Sequence, residues 1–105
     1  MNLVFAFLAG MFLTNGIPHF VLGSAGQKHM TPFAKDSTAL VNVVWGFVNF
    51  ALGILFMNLT GVKVDELIVF DNLGLVFWVG SLFMALSNAW LFSNPNAKFP
   101  WFKNK

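Results

Sequence analysis

The feature that most restricts this chain is the bunching of its apolar residues into three runs, about 2–22, 38–59 and 67–92. Each can cross a hydrocarbon core of ~30 Å, which takes about 20 residues of helix. Backbone in such a core has no water to bond, so only helices and closed barrels span it. Barrel strands read as ~10-residue segments of alternating hydrophobicity, and the runs show no such alternation. The expected fold is all-α: an integral membrane protein with three transmembrane helices, forming a single domain over residues 1–105. A charged share of 10% agrees, since soluble domains carry about 25%. Residues 1–13 contain no Lys or Arg and no small-residue cleavage site, so the first run reads as a retained helix rather than a leader.

Charge placement sets an expected orientation. Lys28 and Lys35 lie in the first loop (23–37), and Lys98, Lys103 and Lys105 in the tail (93–105). Lys63 stands alone in the second loop. The excess of Lys puts the first loop and C-terminus in the cytoplasm and the N-terminus outside. Scattered lysines make no nucleic-acid footprint, and the absence of cysteine excludes disulfides and thiolate chemistry. The tail mixes aromatic and basic residues, so Lys98, Trp101, Phe102 and Lys103 are expected to anchor it at the lipid headgroups.

Polar residues within the runs fall at matching depths. At ~1.5 Å per residue, His19, Asn42 and Asn88 lie ~5–6 Å inside one boundary, Asn15 ~10 Å, and Asn49 and Ser81 ~16 Å. They also share faces: Asn15 with His19; Asn42, Gly46, Asn49 and Gly53, flanked by Trp45; and Gly74, Trp78, Ser81, Ala85 and Asn88. Asn15, His19, Asn42, Trp45, Asn49, Ser81 and Asn88 are therefore expected to meet in the bundle interior, because amides facing lipid lack partners. Small and amide residues are ordinary glue between membrane helices, so packing and a functional lining both stand as readings. Val44, Phe47, Val48 and Leu55 form the opposite, lipid-facing surface.

Gly16 and Pro18 mark a kink in the first run. Pro18 has no N–H for the Thr14 carbonyl, and interrupted spans mark binding sites in many transporters. His19 is either a titrating group or a neutral one bonded to an amide. Paired with loop residue His29 it supplies only two ligands with no acid beside them, so no metal, cofactor or catalytic residue is expected. Asp71 belongs near the outer interface rather than the bilayer interior. The third run is longer than the core requires, and a helix N-terminus favours negative charge.

Asn15-Gly16-Ile17-Pro18-His19-Phe20, Thr31-Pro32-Phe33 and Asn42-x-x-Trp45-Gly46-x-x-Asn49 together resemble a group of small bacterial integral membrane proteins with no assigned activity. The likeness covers about residues 9–53 and implies that these positions act together in a bacterial plasma membrane. Two functions fit. One is homo-oligomeric transport or permeation of a small solute; several protomers are expected to be needed, because three helices in contact fill their own centre. The other is an accessory or structural subunit of a larger membrane complex, or a lipid-binding protein. An enzyme using His19 as a base is the least supported, because no carboxylate lies at its depth.

Overall fold

A computed structural model describes residues 2–102. The chain forms α1 (Asn2–Ser24), α2 (Ala39–Leu59), a single turn α3 (Val64–Leu67) and α4 (Asn72–Ser93). Helices α1, α2 and α4 are each long and apolar enough to cross a membrane. They stack into a rod of 43 × 22 × 21 Å, and its long axis matches a bilayer of ~40–45 Å including headgroups.

Local chemistry fixes the helix ends. The Thr38 hydroxyl accepts the Val41 N–H at 3.2 Å and starts α2. Gly61, with φ of +78°, makes the left-handed turn after α2 that side chains resist. The third helix begins at Asn72, not at Leu67 as the apolar run suggests. The Asp71 carboxylate accepts the Gly74 N–H at 2.7 Å and caps α4 there. The preceding apolar residues instead form α3, where Glu66 accepts the Lys63 N–H at 3.0 Å, and an irregular stretch after it. Asp71 is exposed at a helix N-terminus, in keeping with an interfacial acid.

Helix α1 lies between the other two, antiparallel to α2 and parallel to α4, while α2 and α4 hardly touch. Glycines permit this close approach. On the α2 side Gly16 meets the Phe50 ring and the Gly46 carbonyl, and Gly46 meets the Phe20 backbone. On the α4 side a Cβ at Gly80 would collide with the Phe7 carbonyl, and one at Gly10 with that of Phe77. Close backbone contact substitutes for the hydrophobic drive that membrane helices lack.

Two expectations change. Helix α1 continues through Pro18 without interruption, so the first span is not broken. Gly16 packs against α2, and the bonds of Asn15 and His19 described below clamp the helix on both sides of the proline. The contact face of α4 runs through Gly74, Phe77 and Gly80, which are buried, whereas Trp78 is 42% exposed. Its indole N–H reaches out to the Ile68 carbonyl at 2.8 Å and holds the stretch after α3 against α4. Val44, Phe47, Val48 and Leu55 are all exposed, as lipid contact requires.

Candidate polar cleft

Asn15 joins all three long helices. Its amide nitrogen donates to Asn49 Oδ1 on α2 at 2.9 Å, and its Oδ1 accepts from Asn88 on α4 at 3.0 Å. Asn49 is fully buried and donates its own N–H to the Trp45 carbonyl at 2.8 Å. One turn along α1, His19 Nδ1 lies 2.8 Å from Asn42 Oδ1, with both residues buried.

Asn42 determines the His19 tautomer. Its amide nitrogen lies 2.9, 3.1 and 3.0 Å from the carbonyls of His29, Ser37 and Thr38. With the nitrogen committed to acceptors, Oδ1 faces His19, so Nδ1 carries the proton and donates. Nε2 then holds a free lone pair. The same amide ties the first loop to α2 and α1.

The expected interior set therefore divides. Asn15, His19, Asn42, Asn49 and Asn88 come together. Asn88 bonds Asn15, not a partner at the level of His19. Ser81 stays outside the network: its hydroxyl donates to the Phe77 carbonyl of its own helix at 3.1 Å, a bond within reach of any mid-helix serine. Trp45 lies beside the network with its ring 6.5 Å from that of His19, and its buried indole N–H has no protein partner.

The first loop and the tail close one end of the bundle together. Lys35 Nζ donates to the Pro95 carbonyl and the Trp101 indole N–H to the Pro32 carbonyl, each at 2.6 Å. Within the loop, Thr31 and Ser37 share a hydroxyl bond of 2.6 Å. This revises the tail as a set of headgroup anchors. Phe102 is buried, and Trp101 directs its polar atom at the loop while stacking on Phe99 at 4.7 Å. Lys98 is exposed, and Lys103 lies outside the described residues.

Because α2 and α4 stand apart, a cavity of about 230 Å³ opens between them. The expectation of a filled centre does not hold. Asn15 and His19 form the floor, Trp45 one wall, and Met84, Ser87 and Asn88 the other. Met30, Thr31, Pro32 and Phe99 roof it. His29 lines a separate, smaller hollow beside this cavity, its ring centre 5.2 Å from that of His19 and 4.1 Å from that of Phe92. Burial holds the His29 imidazole below its ordinary pKa, and charge on His19 adds to the shift.

The sequence reading paired His29 with His19 but missed Met30 and Ser87 as part of this site. Ser87 had a signal in its adjacency to Asn88; Met30 had none, because its position depends on how loop and tail fold together. No protein-family model, curated protein or solved structure matches the chain. Chemically, the cleft offers neutral hydrogen-bonding groups, an imidazole lone pair and an apolar roof. Among the described residues no group of three or more His, Asp or Glu converges on one point.

Proposed function

We propose that this protein carries or passes a small solute across the cytoplasmic membrane of a bacterium, using the cleft between α2 and α4 as the solute site. The observation that carries the reading is a largely apolar cavity of about 230 Å³ with Asn15, His19, Ser87 and Asn88 on its lining, within a bundle of three helices long and apolar enough to span a membrane. Asn42 and Asn49 are fully buried and bonded within the chain, so their role in this reading is to shape the cleft. Trp45, Ser87 and the free side of His19 are the groups left for a solute. Positive-inside bias places the loop-and-tail end in the cytoplasm and the N-terminus outside.

Self-association belongs to the same proposal. The gap between α2 and α4 leaves a polar-floored cleft with an open flank, and polar groups at membrane depth require protein or water beside them. A second copy against that flank would seal it. Native mass spectrometry of the protein in mild detergent tests this: a homo-oligomer of fixed number is expected. A bare monomer, or a mass that includes a larger protein, would contradict it. The larger mass would favour the accessory-subunit reading, which the internal pairing of Asn15, Asn49 and Asn88 also supports, since such bonds serve packing.

A further inference from the structure

We propose that His19, His29 and Met30 bind a soft monovalent cation of the copper(I) class where the cleft meets the smaller hollow beside it, with Met84 on the cleft side. The proposal rests on reading the cleft as a ligand site, and it does not require that the ion cross the membrane.

The geometry supplies two imidazoles with nitrogens to offer. His19 donates Nδ1–H to Asn42 at 2.8 Å and leaves Nε2 unbonded. Holding the remote N–H of an imidazole on an acceptor is how metal-binding histidines are oriented. His29 Nε2 is buried without a protein partner, and the Phe92 ring packs against the imidazole at 4.1 Å between centres. The two histidine ring centres are 5.2 Å apart. Imidazoles bound to one ion at about 2 Å per nitrogen, in a bent arrangement, stand about 5 Å apart by the same measure. Met30 is 7% exposed and lines both the cavity that contains His19 and a smaller hollow of about 180 Å³ that contains His29. Met84 lines the His19 cavity opposite the first loop.

The donor set selects the ion. Imidazole and thioether are neutral, and thioether favours copper(I) over hard cations. A divalent ion would carry excess charge into a low-dielectric site, where structural zinc is instead held by four ligands, commonly including thiolates. The chain has no cysteine, and the hollow beside His29 carries one acid, Asp36, next to Lys35, so no surplus of negative charge is present to hold a divalent ion.

Silver(I) serves as a redox-inert probe. The full chain in detergent, in chloride-free buffer, is titrated with silver nitrate by calorimetry and native mass spectrometry. One ion per protomer is expected, with affinity reduced at least tenfold in His29→Gln and Met30→Leu. His29 and Met30 lie in the loop, so these variants leave the helices intact, and 15N spectra should show silver shifting Nε2 of both imidazoles. Three results would overturn the assignment: no silver bound, equal binding in both variants, or zinc bound more tightly than silver at the same histidines. If silver fails to bind while the cleft remains open to both sides of the membrane, the ion is wrong and the passage reading stands. If silver binds but the cleft opens to one side only, the site stands and passage does not.

Discussion

Asn15 is the residue on which the bundle converges, because its amide donates to α2 and accepts from α4. Interhelical hydrogen bonds in membranes contribute ~0.6–2 kcal/mol each, so Asn15→Ala should lower stability by about 1–3 kcal/mol. Ser81→Ala should change it by less than about 0.5 kcal/mol, because that hydroxyl bonds only its own helix. Thermal unfolding in detergent compares the two, and equal losses would contradict the network. His29 makes a pH prediction. Its folded pKa is depressed, chiefly by burial and then by His19. Stability is therefore fully present above the ordinary value near 6.5. It declines as pH falls below that point, where the unfolded chain takes up the proton more readily. Lys35 and Asp36 line the same hollow. The wild-type melting temperature should fall between pH 7.5 and 5.5, and His29→Gln should flatten that response. At this scale the sequence was informative through depth. Asn42 and His19 fall at one height on adjacent helices, and they pair. Asn88 and Ser81 both face α1, but Asn88 bonds Asn15 instead of a partner at the level of His19, and the Ser81 hydroxyl, packed against Gly10, had a carbonyl of its own helix within reach.

The helices themselves were legible because apolar length is a property of contiguous sequence. The boundary at Asn72 was not, since Leu67, Ile68, Val69 and Phe70 are as apolar as the helix that follows. What separates them is the Asp71 cap, a side-chain bond that hydropathy does not register. Pro18 misled for a related reason. Its missing N–H is real, but the packing of Gly16 and the bonds on both sides of it keep α1 continuous. The seam between α1 and α4 depends on backbone contact at Gly80, where a Cβ would strike the Phe7 carbonyl. Gly80→Val should therefore separate these helices. It should cost at least about 2 kcal/mol, the scale of overpacking at a close contact, and weaken the Asn15–Asn88 bond with it. A Gly80→Val melting curve matching wild type would show that the helices do not meet there.

For the whole molecule, the cleft exists because α1 holds two helices that hardly touch each other, and the first loop and tail roof the space they leave. No residue pattern announces such an absence of contact, so a filled bundle was the natural expectation from sequence. The roof was obscured in the same way: Trp101 and Phe102 have the composition of headgroup anchors, yet they fold back on Pro32 and on each other. As a solute site for passage, the cleft must communicate with both sides of the membrane. Because the chain has no cysteine, Ser87→Cys provides a single label on the cavity wall. In reconstituted vesicles this cysteine should react with a small membrane-impermeant methanethiosulfonate applied to either face, while Lys28→Cys reacts from the cytoplasmic face alone. Reaction of Ser87→Cys from one face only, or from neither, would contradict passage through the cleft.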